Sequence, residues 1–211
     1  MSCLDSAATL LAYAGRTEVA ILIGRFLARR DPLDQIAISN LAYIYYYAQD
    51  WDSALAELEH AMTLSRDAVA LSFLAGAIRV QRGGPGDLRI ALELASKEPE
   101  AGWRLELLAI AEHALGQTAQ SDAALDELIE KHAQDWSFNI ASVLAFRHER
   151  DRAFEWLERA VKAEDTGIAT ASVEPLLASL HDDPRWPQFL EMIGQDPDRL
   201  AAIALKIDLP K

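Results

Sequence analysis

An all-α fold of stacked helix pairs is predicted for this chain by three observations. Small residues return along it at Ala8, Ala42, Gly76, Ala109 and Ala141, at intervals of 34, 34, 33 and 32. Alanine, leucine and glutamate dominate the sequence, and all three favour helix. Few stretches alternate apolar and polar side chains with the two-residue period of a strand. A period near 34 residues is the length of a helix–turn–helix unit, and such units stack because one pair cannot bury its apolar face alone. The expected organisation is about five helix pairs over residues 1–165 and a set of capping helices over 166–211.

Each unit can be read in order. The first runs from Leu4 to Arg30, with Leu4, Ala7, Ala8 and Leu11 on one face, a break at Gly15-Arg16-Thr17 and Thr17 as the expected cap. Asp31-Pro32 closes it, because the residue before proline is biased away from helix. The second carries Leu41, Ala42, Tyr45 and Ala48, a turn at Gln49-Asp50-Trp51-Asp52 capped by Asp50 or Asp52, then Ala54, Leu58 and Ala61. The third begins near Val69, and its Arg82-Gly83-Gly84-Pro85-Gly86-Asp87 stretch reads as a turn about three residues longer than its neighbours. The fourth spans Trp103 to His132 with a turn at Leu115-Gly116-Gln117, and the fifth spans Trp136 to Lys162. Beyond Glu164 the period stops. Residues 171–181 read as a short helix, Asp183-Pro184 as a helix start, Gly194 as a stop, and Asp196-Pro197 as the start of a last helix through Leu205, with Pro210 closing the chain. Stacked repeats need such a terminal cap.

The small residues have a packing reason. Two antiparallel helices approach closely only where side chains are small, so Ala20, Ala54, Ser121 and Ala153 on second helices answer the series on first helices. Leu58, Leu125 and Leu157 then fill the space between pairs.

On these residues the chain resembles the tetratricopeptide repeat. The best matches are Leu41-Ala42, Tyr45, Ala54, Leu58 and Ala61, then Ile140-Ala141, Leu144, Ala153, Leu157 and Ala160; the resemblance covers about residues 4–162. Unit three departs at its turn, and unit one carries Gly24 where the family usually has a larger apolar residue. The resemblance implies a right-handed α-solenoid whose first helices line a concave groove. Three further segments, residues 121–128, 153–160 and 182–186, are similar to the C-terminal repeat region of bacterial signalling proteins. There the region follows a nucleotide-cyclase, kinase or winged-helix domain. That likeness would make this chain a fragment or a stand-alone relative.

Composition narrows the partners. The net charge is −13, with −3 over residues 1–105 and −10 over 106–211. Such a chain repels phosphate backbones and anionic membrane surfaces, so neither nucleic acid nor membrane is an expected partner. No run of apolar residues is long enough to suggest a membrane span, and Met1-Ser2-Cys3-Leu4-Asp5 has no signal-peptide pattern, so a cytoplasmic location is expected. The single cysteine, Cys3, fits a reducing compartment and has no neighbouring base to activate it.

Catalytic patterns are not legible. His60, His113, His132, His148 and His181 show no metal-ligand spacing, and Glu112-His113 is an isolated pair, so no metal or other cofactor is expected. The Gly83-Gly84-Pro85-Gly86 stretch lacks the Lys-Ser/Thr ending of a phosphate loop. Abundant carboxylates select no acid–base pair, and a solvated helix face explains them.

The family groove implies the site. Residues one turn from the packing positions are Asn40, Tyr43 and Tyr47 in unit two, Phe73 and Ala77 in unit three, and Glu106, Ile110 and His113 in unit four. Unit five adds Phe138, Asn139 and Ser142, with Arg147 near the rim. Tyr43 and Tyr47 are four apart on one helical face, and tyrosines give large contact area at low entropic cost. Family members that grip an acidic peptide end use a Lys and an Asn where this chain has Asp5 and Thr9, and a Lys/Arg pair where it has Ala70 and Leu74. Asn40 alone matches. The expected ligand is therefore a protein or peptide segment that is neutral, aromatic or basic, bound without catalysis. Two alternatives stay open: a homo-oligomerisation module that pairs with a second copy, and a helical cradle for a small ligand or an enzymatic reaction.

Overall fold

A computed structural model describes residues 3–64 and 70–204 of the chain. Val69, Leu205 and Pro210, where the sequence reading set boundaries, lie outside the described residues. The described residues form an all-α structure. In order the helices are α1 (Cys3–Tyr13), α2 (Thr17–Arg30), α3 (Gln35–Tyr47), α4 (Trp51–Leu64), α5 (Leu71–Arg82), α6 (Pro85–Ala95), α7 (Ala101–Ala114), α8 (Thr118–His132), α9 (Ser137–Phe146) and α10 (Arg150–Lys162). Two 3₁₀ segments, Thr166–Thr170 and Pro175–Leu180, precede α11 (Arg185–Met192) and α12 (Pro197–Ala201).

The five pairs share one register. In each, a residue in the left-handed region ends the first helix seven positions after the small residue: Gly15, Gln49, Gly83, Gly116 and His148, with φ between 57° and 73°. The second helix then starts nine positions after the small residue, at Thr17, Trp51, Pro85, Thr118 and Arg150. Glycine serves this turn without strain, whereas Gln49 and His148 each cost about 1 kcal/mol there.

This register corrects the third turn, which is not enlarged. Gly83 closes α5 with φ 69°, Gly84 is extended, and Pro85 already stands at the first helical position, where its missing N–H costs nothing. The 33-residue interval contains α6, which is 11 residues long against 14 for α4, whereas the 32-residue interval contains the 15-residue α8. The caps are also adjusted. Thr17 lies inside α2 and Arg16 takes the cap position. Asp50 accepts from the Ser53 N–H at 3.3 Å, ahead of Asp52. Asp183 accepts from the Arg185 N–H at 3.0 Å, with Pro184 at the cap and α11 starting one residue later than expected. Residues 171–181 do not form one helix, because Pro175 cannot donate and biases Glu174 away from α; a 3₁₀ segment begins there instead. The last helix ends at Ala201.

The chain divides into two compact units. Unit 1 comprises Met1–Ser65, Ala169–Pro175 and Asp182–Lys211; unit 2 comprises Arg66–Ile168 and Leu176–His181. In unit 1, α1 to α4 bury Ala8, Ala20, Ile23, Ile38, Leu41, Ala42, Ala54 and Leu58. In unit 2, α5 to α10 bury Leu74, Ile78, Leu107, Ile110, Leu125, Leu128, Ile140, Leu144 and Leu157. The contact between small positions within a pair is visible at Ser121, whose buried hydroxyl donates to the Ala109 carbonyl at 2.7 Å.

Two glycines serve a different contact, between consecutive first helices or between a second helix and the next first helix. A Cβ on Gly76 would lie 2.4 Å from a Leu107 methyl, and one on Gly24 would lie 2.8 Å from a Leu41 methyl. Gly24, a departure from the repeat pattern, is thereby explained. Gly76→Ala sets two effects against each other: helix propensity gains about 1 kcal/mol, and overpacking a fully buried neighbour costs about 1–3 kcal/mol. Leu107 has no exposed side to retreat into, so the clash wins. Urea unfolding should show a net loss of about 1 kcal/mol, with the midpoint lowered and the slope unchanged.

Candidate functional site

The most distinctive side-chain cluster is in unit 1. Tyr13 at the end of α1 and Tyr47 at the end of α3 meet edge to face, with ring centroids 5.7 Å apart. Tyr43 and Tyr46 flank Tyr47 at 6.3 and 5.4 Å, and Trp51 packs on Tyr46 at 5.8 Å. Tyr45 points the other way into the core, where its hydroxyl oxygen accepts from Arg25 Nε at 2.5 Å. One helix therefore offers three tyrosines to one side and keeps the fourth for packing.

This tyrosine face is covered by the chain itself. Residues 170–174 make a single tight turn, in which the Val173 and Glu174 N–H groups both donate to the Thr170 carbonyl at 2.9 Å. The buried Tyr46 hydroxyl donates to Glu174 Oε1 at 2.5 Å. The Tyr47 side chain is hydrogen-bonded to Thr170. The Ser172 hydroxyl donates to the Tyr13 carbonyl at 3.2 Å, and its N–H donates to Gln195 Oε1 at 2.9 Å. Gln195 in turn donates to the Ala169 carbonyl at 2.9 Å. The segment is held from both sides, as a strap.

Burial pushes the Tyr47 phenol well above its ordinary value of 10.0, and the neighbouring Glu174 carboxylate and the phenols of Tyr13 and Tyr43 add to the shift, against the Thr170 hydrogen bond that opposes it. Burial also raises Tyr13. An acid raised in the folded state keeps its proton where the unfolded chain has lost it. This contribution to stability is full below pH 10.0 and falls as pH rises towards the folded value. Thermal melts across about pH 9 to 11 should show a decline that is smaller in Tyr47→Phe.

The expected groove residues divide by environment. Phe73, Glu106 and Phe138 are buried, not displayed, because each lies on the side of its helix that meets the next first helix or the chain after the pair. A Cβ on Gly167 would lie 2.5 Å from the Phe138 ring, so that backbone runs directly over it. Ala77, Ile110 and Ser142 are buried as well. Tyr43, Tyr47, Asn40, His113, Asn139 and Arg147 remain half-buried. Burial and the nearby Arg147 lower the His113 imidazole below its ordinary range, and its ring meets the edge of Phe146 at 6.0 Å. Arg147 is held by turns: its guanidinium donates to Ser121 Oγ at 3.0 Å, pairs with Asp122, and lies 2.7 Å from Glu149.

Asn40 and Asn139 have a shared partner type. Asn40 Nδ2 donates to both carboxylate oxygens of buried Asp5 at 3.0 Å, and Asn139 Nδ2 donates to buried Glu106 at 2.9 Å. In both, an acid three positions before one unit's small residue meets an asparagine two positions before the next unit's. Asn139→Leu should leave Glu106 short of a donor and cost about 2–3 kcal/mol. Adding Glu106→Leu should recover most of that loss in a denaturation double-mutant cycle.

Sequence reasoning missed Asp5, Tyr13, Tyr46, Thr170 and Glu174. Tyr13 stands 34 residues before Tyr47, so the repeat spacing was its signal. Thr170 and Glu174 follow the end of the period and carry no such signal.

Other chemistry is sparse. Among the described residues no group of His, Cys, Asp and Glu could hold a metal ion, and no helix is long and apolar enough to cross a membrane. Cys3 is exposed. An open cleft of about 540 Å³ in unit 1 is lined by Arg25, Arg29, Tyr45, Glu57 and His60.

The fold is similar to that in the crystal structure of MamA, a TPR-like helical protein. The TM-score is 0.52 at 15% identity, over 78% of this chain and 95% of that one. At that identity the likeness establishes the fold alone: this chain has a TPR-like helical fold. No family model matches the sequence, and comparison with curated proteins finds no relative.

Proposed function

We propose that the chain is a non-catalytic interaction module that binds a protein or peptide segment against the first helices of its pairs. The observation that carries this reading is the strap. A segment of ordinary chain is already recognised on the α1–α3 tyrosine face through two phenols and a backbone carbonyl. Rigid tyrosines suit contact energy at low entropic cost.

The excess of 33 acidic over 20 basic side chains favours a partner segment that is neutral, aromatic or basic overall. Nucleic acid and anionic membrane are disfavoured on the same ground. The likeness of residues 121–128, 153–160 and 182–186 to repeat regions of bacterial signalling proteins supports a regulatory role in the cytoplasm. Within this reading Asn40, Tyr43 and Tyr47 in unit 1, and His113, Asn139 and Arg147 in unit 2, are the contact residues at the margins of each unit's first-helix face. Phe73, Glu106 and Phe138 support that face from beneath.

The test is affinity capture from the native organism with the wild type and Tyr43→Ala. Tyr43 is half-buried, and its ring centroid lies 6.3 Å from that of Tyr47 with the planes tilted by 33°. The variant should melt within a few degrees of wild type, a loss of about 1 kcal/mol or less. A protein retained by the wild type and lost on the variant supports the reading. Retention of no protein, or equal retention, overturns it.

A further inference from the structure

We infer that the Thr170–Glu174 turn is a built-in ligand of the α1–α3 tyrosine face, and that the external partner presents the same pair, a hydroxyl and a carboxylate four residues apart on one turn. The inference rests on the reading of the protein as a segment-binding module and specifies what that module recognises.

Three features separate the strap from ordinary packing. Its specific contacts are made by polar tips. Tyr46 donates to the Glu174 carboxylate and Tyr47 is bonded to Thr170, so two adjacent residues of α3 read two positions of one turn. The spacing matches: the turn closes on the Thr170 carbonyl through the Glu174 N–H, which brings the two side chains to one side. The strap is also short and bounded. The chain enters unit 1 at Ala169 and leaves it at Pro175, so these seven residues are an insertion into that unit rather than a continuation of its helices.

A phenol that donates to a carboxylate forms a charge-assisted bond without bringing a positive charge. The face therefore accepts an isolated carboxylate while the surrounding acidic chain rejects a run of them. This separates the ligand class from an acidic tail and from a purely apolar peptide. A tethered segment acts at an effective concentration on the order of millimolar. An outside peptide with equal contacts is thus held back by the fraction of molecules in which the strap is seated. Partner binding and strap release are one equilibrium.

The probe is a fluorescein-labelled peptide of residues 168–176, Ile-Ala-Thr-Ala-Ser-Val-Glu-Pro-Leu. Polarisation is measured on the full chain, as wild type and as Thr170→Ala/Glu174→Ala. The double variant should bind about tenfold tighter or better than wild type, because its own strap no longer competes. A peptide with Gln in place of its Glu should lose that gain. Equal affinity for the two chains, or equal binding of the Gln peptide, overturns the inference. Should the double variant lose helix content by circular dichroism, hydrogen exchange on the wild type decides. Excess peptide should speed exchange at the Ser172, Val173 and Glu174 amides, and unchanged protection overturns the inference. Failure here beside a Tyr43-dependent capture leaves the segment-binding reading standing with another ligand class; failure of both removes it.

Discussion

The constraint on which the structure depends is the fixed distance between a small residue and a left-handed turn. Seven residues separate Ala8 from Gly15, Ala42 from Gln49, Gly76 from Gly83, Ala109 from Gly116 and Ala141 from His148. Seven residues are close to two helical turns, so the small side chain and the turn lie on nearly the same azimuth of the helix. The returning helix is thereby aimed across the residue that permits close approach. The Ser121 hydroxyl on the Ala109 carbonyl is a direct record of that aim. Conformational cost reinforces the point. Gln49 and His148 each occupy a conformation that glycine adopts freely, and the packing in their pairs outweighs about 1 kcal/mol apiece. The turn is held by the pair rather than the pair by the turn.

A second layer of specification sits between consecutive first helices. The acid–asparagine contact joins units one and two through Asp5 and Asn40, and units four and five through Glu106 and Asn139. The corresponding positions for units three and four are Phe73 and Leu107, both apolar. An acid facing leucine would be buried without a donor, which costs more than a weak hydrogen bond returns. The alternation therefore opposes pairing a unit with the wrong neighbour, and it does so through polar groups in an otherwise interchangeable set of alanine and leucine contacts. Long-range capping adds to it. Glu98 accepts from the Phe73 N–H and Asp165 from the Phe138 N–H, so an acid after the second helix satisfies an open N–H at the start of the first.

Most of the helix-pair layout was legible because its determinants are periodic. A small residue, a turn and a buried leucine recur at fixed spacing, and each recurrence confirms the others. The errors arose where local chemistry competed with the period. Gly83-Gly84-Pro85-Gly86 looks like a long loop, yet the period places one turn residue and a proline that starts a helix. Residues 171–181 look helical until Pro175 is counted against the helix. The candidate site was only half legible. Asn40, Tyr43 and Tyr47 could be assigned to one face by helical geometry, but no rule of spacing says what lies over that face. Thr170 and Glu174 come after the last repeat, where periodicity offers no register, and their position follows from tertiary packing alone. Phe73, Glu106 and Phe138 were misplaced together: each stands three positions before its unit's small residue, as buried Asp5 does, and that register position meets a neighbouring element rather than a groove.

The strap changes what the acidic composition means for recognition. Net charge describes the field at a distance and governs encounter, whereas in the proposed reading the tyrosine face governs the contact. The two need not favour the same chemistry. A carboxylate that reaches Tyr46 meets a neutral donor at 2.5 Å in a site from which water is largely excluded, so its local interaction is strong although the long-range field opposes it. In the strap that opposition is removed because the carboxylate is delivered by the chain itself. A partner would have to arrive against the field, which favours a segment whose single carboxylate is set among neutral or basic residues. Under the proposed recognition the composition and the seated Glu174 are compatible: the first would select the segment, and the second would specify the one acidic group within it.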